Sequence, residues 1–109
     1  MSQPVGVSVI VPAYREREGL GAVLAELQDM AAGWDRPVEI LVVDDASDDG
    51  TSDVAEDTGV RVVRHERNLG YGASLKTGVQ AAAWETIAII DADGTYPAGR
   101  IPELVDALE

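Results

Sequence analysis

The sequence of 109 residues has the size of one folded domain, and a hydrophobic content of 46% excludes a disordered chain. Its 20 acidic and 8 basic residues give a net charge of −12, which argues against nucleic acid as a partner because phosphates would be repelled. The absence of cysteine excludes disulfides and thiolate metal sites. The sequence contains no secretory signal and no apolar segment of about 20 residues, the length that crosses a bilayer, so we expect a cytoplasmic protein.

The first third of the chain predicts two buried strands with an amphipathic helix between them. Val5–Val11 is a β-branched segment closed by Pro12, and Val38–Val43 is a second apolar segment of similar length. Between them, the helical spacing predicts a helix that ends at Gly33. Its apolar face consists of Leu20, Val23, Leu24, Leu27, Met30 and Ala31.

The middle of the chain predicts a short helix followed by a third strand. We expect this helix to begin near Asp49 or Thr51 and to end at Gly59. Asp48 and Asp49 are interpreted as residues that cap its N-terminus, since aspartate side chains accept hydrogen bonds from the first free backbone N–H groups. The third strand is predicted at Val60–Arg64.

The last third of the chain predicts a loop, a helix, a strand and a final helix. In the loop, Asn68 and Gly70 are expected to adopt left-handed turn conformations. A helix follows over about Ala73–Ala83, and Ile87–Ile90 forms the fourth strand. The final helix is entered near Pro102, and its apolar positions are Ile101, Leu104, Val105 and Leu108.

Apolar strands that alternate with helices predict an α/β fold, a parallel four-stranded sheet flanked by helices. We interpret residues 1–109 as a single domain that is truncated, because the fourth strand is as apolar as an interior strand and the final helix ends without a cap. The fourth strand would then lack its outer neighbour. Such an exposed strand edge favours association of the chain with a second copy of itself.

Polar side chains follow three of the predicted strands at the point where each strand ends. In a parallel sheet, ligands bind beyond the carboxyl ends of the strands. The residues expected to gather there are Tyr14, Glu16, Asp44, Asp45, Asp91 and Asp93.

The pair Asp91 and Asp93 predicts a divalent cation. A diphosphate cannot approach bare carboxylates, whereas Mg²⁺ or Mn²⁺ between them converts the repulsion into a bridge and needs only one or two carboxylates besides phosphate oxygens. Gly94 permits the tight turn beside such an ion. The carboxylate of Asp45 suits the N–H of a base or a ribose hydroxyl instead. Simpler interpretations stay open: Asp91 and Asp93 on a solvated turn, and Tyr14 as a packing residue.

Four segments in order, "VSVIVPAYRE", "EILVVDDASDDGT", "RNLGYGASLKTG" and "IAIIDADGTYP", together resemble the nucleotide-binding half of family 2 glycosyltransferases. Among them, the chain is most similar to the polyprenyl-phosphate sugar synthases of the dolichyl-phosphate-mannose type. The resemblance implies a Rossmann-like GT-A fold, a UDP- or GDP-linked sugar donor, and Mg²⁺ or Mn²⁺. It also implies a lipid-phosphate acceptor, which would place the longer protein at the cytoplasmic face of a membrane.

The resemblance assigns roles residue by residue. Asp93 would bind the metal directly, as in the family's DxD motif, and Asp91 would face the ribose or the metal. Thr95 stands where some relatives have a glutamine near the metal. The family's acceptor-side base has no counterpart here, so no catalytic residue is predicted. The residues implied to bind the nucleotide are Pro12, Ala13, Tyr14, Glu16, Asp45, Asp91 and Ala92.

Two alternatives to a complete transferase remain at this point. The chain could be a catalytically incomplete module that binds the nucleotide only. It could also be a phospho-receiver signalling domain, since "EILVVDDAS" resembles the first strand and acid pair of such domains. Lys76 is a minor candidate for a phosphate contact, whereas His65 receives no role and Trp34 and Trp84 are interpreted as packing residues.

Overall fold

A computed structural model describes residues 5–94 and 97–108 and shows a parallel sheet flanked by helices. The strands are β1 (Val7–Ala13), β2 (Val38–Asp44), β3 (Arg61–Arg64) and β4 (Thr86–Ile89). The helices are α1 (Arg17–Gly33), α2 (Thr51–Asp57), α3 (Tyr71–Ala81) and α4 (Ile101–Leu108), the last preceded by a 3₁₀ turn over Ala98–Arg100. The element order therefore confirms the predicted alternation, with boundaries that differ by one or two residues.

The four strands are ordered β3-β2-β1-β4, and every neighbouring pair is parallel. Strand β1 pairs with β2 from Val7↔Val38 to Ala13↔Asp44, and with β4 from Val7↔Thr86 to Ile10↔Ile89. The chain moves from β1 to one side for β2 and β3, and later to the other side for β4. The strand order reverses at β1, which is where open α/β sheets form their binding crevice.

The two faces of the sheet are covered unequally. On one face, Val7, Val9 and Val11 of β1 pack against the predicted apolar side of α1, including the buried Leu20 and Leu24. On the other face, the buried cluster is small and lies under α3. There Gly78 allows a close approach, since a Cβ at this position would lie 2.6 Å from Cγ2 of Ile10. Both predicted layers are present, and the larger core lies on the α1 side.

The two tryptophans pack as predicted. Trp34 lies against the larger core cluster. The ring of Trp84 lies so close to Gly6 that a Cβ there would be 2.1 Å from the ring. Strand β1 begins at Val7, two residues later than the sequence predicts. Within the described residues, no helix combines the length and the apolar character needed to cross a membrane.

Strand β4 lies at the edge of the sheet and is paired on one side only. Beside it, β4 and α4 form an apolar groove of about 300 Å³. Ile89, Leu104 and Leu108 are exposed there, Leu108 to 88%. We call this surface the seam; its residues are Ile87, Ala88, Ile89, Ile90, Ile101, Leu104, Val105 and Leu108. In the described chain, the outer edge of β4 is unpaired, and the truncation of the domain stays a prediction.

Candidate functional site

A cavity of about 500 Å³ opens where the carboxyl ends of β1, β2 and β4 meet. All eight residues that the sequence predicts for a nucleotide or a metal line it. Four further residues from the loop after β3 and the start of α3 complete the wall. The lining residues are Pro12, Ala13, Tyr14, Glu16, Asp45, Asn68, Gly70, Tyr71, Ser74, Asp91, Ala92 and Asp93.

The loop after β1 is held in place by the loop after β2 and by the first residue of α2. The N–H of Arg15 donates to Oγ of Ser47 at 2.8 Å, and the N–H of Glu16 donates to Oγ1 of Thr51 at 3.0 Å. Arg15 has a left-handed backbone with φ of 53°, an uncommon conformation for a residue other than glycine, so these contacts hold a strained turn. The guanidinium of Arg15 lies 5.1 Å from the ring centroid of Tyr14, which is exposed in the cavity wall.

Asp44 does not belong to the cavity, which corrects the expectation that it joins the other carboxylates there. Its side chain is fully buried, and Oδ2 accepts hydrogen bonds from the Arg64 guanidinium at 2.8 Å and from the Ser52 hydroxyl. Oδ1 accepts from the N–H of Ser47 at 3.0 Å. A buried carboxylate needs such partners, and Arg64 supplies the opposite charge. Asp44 is therefore a structural residue.

Asp45, one residue further, lines the cavity and is held from behind. Oδ1 accepts from Nδ1 of His65 and from the N–H of Leu69, both at 2.8 Å, and Oδ2 accepts from the N–H of Gly70 at 2.9 Å. Burial by itself raises the pKa of Asp45, but the hydrogen bonds from His65, Leu69 and Gly70 outweigh it and hold the pKa below its usual value. The carboxylate stays ionised in a nearly closed environment.

The hydrogen bonds of the described residues leave one acceptor position of Asp45 open to a ligand. A carboxylate offers about four lone-pair positions. Three are used by the hydrogen bonds described above, two on Oδ1 and one on Oδ2. Since Asp45 lines the cavity, a ligand N–H or O–H can complete its hydrogen bonding.

The carboxylates on the other side of β1 form a crowded group of like charges. Asp91 and Asp93 are exposed on the loop after β4, where Gly94 makes the expected tight turn with φ of 77°. Burial raises the pKa of Glu16, and the negative charges of Asp93, Asp49 and Asp91 raise it further. This part of the cavity is therefore a concentration of negative charge.

The donor set fits Mg²⁺ or Mn²⁺ that binds together with a phosphate ligand. Within the described ranges, no group of three His, Cys, Asp or Glu side chains is placed to hold a metal ion by itself. Two carboxylates suffice for these cations when phosphate oxygens and water supply the other ligands. Burial is the largest cause of the raised pKa of Glu16, and the negative charges of Asp93, Asp49 and Asp91 add to it. A cation would relieve the part of the shift that comes from these charges.

Two residues that the sequence analysis did not assign take part in the site. His65 supports Asp45, and Tyr71 donates its hydroxyl proton to Oδ1 of Asp91 at 3.2 Å. The one signal for His65 was its position directly after β3, at the same edge of the sheet as the predicted site. Tyr71 lay inside the predicted loop, whereas α3 begins with it.

The capping predictions were partly wrong. Asp48 forms an ion pair with Arg15 at 3.1 Å instead of capping α2, and the N-cap residue of α2 is Gly50. Asp49 does accept a hydrogen bond from the first helical N–H, that of Thr51, at 3.1 Å.

The predictions for the loop after β3 also had mixed outcomes. Gly70 has a positive φ of 100°, but its ψ of 169° is not that of the predicted left-handed turn, and Asn68 is not among the described residues with positive φ. Instead, the amide of Asn68 donates to the carbonyl of Asp45 at 3.4 Å. Lys76 does not line the cavity, and Thr95 lies outside the described residues.

Comparison with known sequences identifies the family of the chain. The sequence profile of the family described as "Glycosyl transferase family 2" matches residues 8–109. An uncharacterized glycosyltransferase of Mycobacterium tuberculosis is 43% identical over 103 residues, which cover 94% of this chain and 44% of the relative. The undecaprenyl-phosphate mannosyltransferase of Micrococcus luteus is 34% identical, over 94% of this chain and 44% of its own length. The dolichol-phosphate mannosyltransferase of Pyrococcus furiosus is 33% identical, over 94% and 30%.

Solved structures share the fold. A mannosyltransferase from Pyrobaculum calidifontis in complex with GDP-Man and Mn²⁺ has a TM-score of 0.79 and 29% identity, covering 96% of this chain and 32% of that one. Glucosyl-3-phosphoglycerate synthase from M. tuberculosis, in complex with Mn²⁺, UDP and glucosyl-3-phosphoglycerate, has a TM-score of 0.81 and 27% identity, covering 95% and 39%. The fold is of the GT-A type, and the chain spans less than half the length of these relatives.

Proposed function

This chain belongs to glycosyl transferase family 2, and we propose that its cavity binds a UDP- or GDP-linked sugar together with Mg²⁺ or Mn²⁺. The observation that carries the proposal is the division of the cavity. Asp45, satisfied by protein donors, lies after β2, and the crowded Asp91 and Asp93 lie after β4. A nucleoside diphosphate has the same two parts, a base with N–H groups and a diphosphate that needs a cation.

At the diphosphate side, Asp91 and Asp93 would hold the cation. When bound, the ion stabilises the negative charge that develops on the departing diphosphate as the sugar bond breaks. The contribution of the chain is to gather the carboxylates at one edge of the sheet. The hydroxyl of Tyr71 restrains Asp91.

At the base side, Asp45 would accept a hydrogen bond from the ligand. Uracil and guanine each present a ring N–H, which suits the remaining acceptor position of an ionised carboxylate. The exposed ring of Tyr14 and the backbone at Pro12 and Ala13 line the adjacent wall. These residues belong to the proposed nucleotide-binding set, which Glu16, Asp91 and Ala92 complete.

The acceptor and the transfer step belong to the same proposal. Two relatives are named dolichol-phosphate mannosyltransferase and undecaprenyl-phosphate mannosyltransferase, which supports a polyprenyl phosphate as acceptor. A lipid acceptor would place the reaction at a membrane, and we propose its cytoplasmic face. Two solved neighbours hold a GDP- or UDP-based ligand with Mn²⁺. Because the chain spans 44% of the length of its mycobacterial relative, a module that binds the donor without transferring it is the second candidate.

Isothermal titration calorimetry tests the binding proposal. UDP and GDP are each titrated into the chain with Mn²⁺, with Mg²⁺ and with EDTA. We expect one of them to bind with either metal, and chelation to weaken it by at least about tenfold, since the cation bridges two negative partners. Equal binding with and without EDTA, or no binding of either nucleotide, would contradict the proposal.

Incubation with a labelled sugar donor and a polyprenyl phosphate separates the two candidates. A labelled lipid product shows transfer by this chain. Donor binding without any product favours the binding-only module.

A further inference from the structure

His65 lies outside the cavity and connects Asp45 to helix α3. His65 is 8% exposed, and its two ring nitrogens have different partners. Nδ1 lies 2.8 Å from Oδ1 of Asp45, and Nε2 lies 2.8 Å from Oγ1 of Thr77. The N–H of His65 also donates to the carbonyl of Asp44, which extends the pairing between β2 and β3. His65 thus joins three elements behind the cavity wall.

The chemistry of the partners fixes the direction of these hydrogen bonds. An ionised carboxylate only accepts, so Nδ1 of His65 carries the proton and donates to Asp45. In the neutral imidazole, Nε2 is then the acceptor, and the hydroxyl of Thr77 donates to it. The result is a series of two hydrogen bonds, in which Thr77 of α3 donates to His65 and His65 donates to the Asp45 carboxylate.

These hydrogen bonds determine which acceptor position of the Asp45 carboxylate is open to a ligand. Oδ1 receives His65 and the N–H of Leu69, so both of its positions are used. Among the described residues, only the N–H of Gly70 donates to Oδ2. Without the donor from His65, the carboxylate could rotate and satisfy Leu69 and Gly70 in other ways, and its free position would no longer be fixed.

We infer that His65, held by Thr77, is a positioning residue that fixes Asp45 for recognition of a nucleobase. The part of the inference that concerns the nucleobase rests on the proposed function. The part that concerns Asp45 and its loop stands on the contacts alone. His65 does not line the cavity, so its effect on a ligand passes through Asp45.

Two substitutions of His65 separate positioning from packing. In His65→Asn, the side-chain amide nitrogen stands where Nδ1 stands and can donate to Asp45. In His65→Gln, the terminal amide stands at the position of Nε2 and leaves Asp45 without this donor. Both variants remove the imidazole from the same buried place. A purely structural role therefore predicts the same defect in both, whereas a positioning role predicts rescue by asparagine.

The ligand measurement compares a nucleotide with a ligand that has no base. UDP or GDP, whichever binds the parent, and pyrophosphate are titrated separately in the presence of Mn²⁺. We expect His65→Gln to weaken the nucleotide by about tenfold, the effect of one lost hydrogen bond to a charged group, and to leave pyrophosphate within about twofold. His65→Asn should bind both like the parent. Equal weakening of both ligands, or equal defects in both variants, would overturn the inference.

A measurement without ligand keeps the inference testable if no nucleotide binds. Amide hydrogen exchange by NMR reports whether the N–H groups of Leu69 and Gly70 are still held by Asp45. We expect faster exchange at these two amides in His65→Gln and unchanged exchange in His65→Asn, with the strands unaffected. Uniformly faster exchange in both variants would show a structural role and overturn the inference. If the parent binds no nucleotide while the two amides respond as expected, the proposed function fails and the positioning of Asp45 stands.

Thr77 provides a second pair of variants that leaves His65 in place. Thr77→Val keeps the shape of the side chain and removes the hydroxyl, whereas Thr77→Ser keeps the hydroxyl. We expect Thr77→Val to weaken nucleotide binding and to speed the exchange of the Leu69 and Gly70 amides, but less than His65→Gln does. Thr77→Ser should behave like the parent. No difference between the two would show that Thr77 does not hold the histidine and would overturn that part of the inference.

Discussion

The carboxylates on the two sides of β1 are the same chemical group in opposite environments. Asp45, after β2, is buried, and the donors around it hold its pKa below the usual value. Glu16, beside Asp91 and Asp93, has a raised pKa because burial and its acidic neighbours disfavour its charge. At Asp45, donors from the protein itself stabilise the negative charge. At the second place like charges are crowded and a cation would relieve their repulsion, which is why we assign the base to Asp45 and the cation to Asp91 and Asp93.

The largest expected effect tests the crowded side. In Asp93→Ala, one of the two proposed metal ligands is lost, so we expect metal-dependent nucleotide binding to fall by about 100-fold, the factor for a charged contact of roughly 2.7 kcal/mol. Thermal unfolding of the ligand-free protein should be unchanged or slightly raised, because a like charge is removed. Calorimetry with Mn²⁺ and a melting curve measure the two effects.

Glu56→Ala is the matched control for charge, since it removes one carboxylate from an exposed position on α2. It should bind nucleotide like the parent. If Asp93→Ala also binds nucleotide and metal like the parent, the crowded carboxylates do not hold a cation and the comparison fails at that side.

Asp45→Asn tests the satisfied side, where stability should change together with binding. The amide keeps one acceptor oxygen and places an N–H₂ group among donors, so His65, Leu69 and Gly70 can no longer all be satisfied. We expect the free energy of unfolding to fall by about 2 kcal/mol. Urea denaturation of the ligand-free protein measures it. Unchanged stability would show that the hydrogen bonds around Asp45 do not stabilise the fold.

The dependence of stability on pH should have opposite signs at the two places. The lowered pKa of Asp45 means that its contribution is complete above its ordinary value of 3.8 and is lost as the pH falls through the lowered pKa. The raised pKa of Glu16 means that its ionisation opposes folding at neutral pH. Glu16→Gln should therefore be slightly more stable than the parent near pH 7, and the difference should vanish below pH 4.5, the ordinary value for glutamate.

Melting curves of the parent, Asp45→Asn and Glu16→Gln between pH 3 and pH 7 test both signs. The deficit of Asp45→Asn should shrink as the pH falls through the lowered pKa. A gain in Glu16→Gln that persists at low pH would contradict the assigned cause.

The smallest expected effect concerns the strands that carry the two groups. Asp45 follows β2, which is paired on both sides, whereas Asp91 follows β4, which has a free edge next to the seam. We propose that this edge pairs weakly with β4 of a second copy, because unpaired backbone and exposed apolar side chains lie together there. Sedimentation should show association that Ile89→Asp removes while the monomer stays folded. A clean monomer of the parent at micromolar concentrations would contradict this.

The sequence by itself determined the elements, the parallel sheet and the edge at which the site lies. Apolar periodicity is a local property, and the carboxyl ends of parallel strands always share one edge, so Tyr14, Asp45 and Asp93 could be brought together without a structure. The motifs after β1, β2 and β4 carried enough detail to identify the family. The helix-capping residues were predicted less well, since Asp48 forms an ion pair with the distant Arg15 and does not cap α2.

Only the tertiary structure showed what holds the adjacent Asp44 and Asp45. The sequence assigned Asp45, and not Asp44, to the nucleotide, and consecutive side chains of a strand point to opposite faces of the sheet, but neither fact identifies the partners of the two carboxylates. The pairing of β2 with β3 sets Asp44 opposite Arg64, and one step further His65 meets Asp45. Register between strands depends on contacts across about 20 residues of chain rather than on local spacing. For this reason both carboxylates were expected at the site from the sequence, whereas in the structure Asp44 is buried against Arg64 and Asp45 lines the cavity.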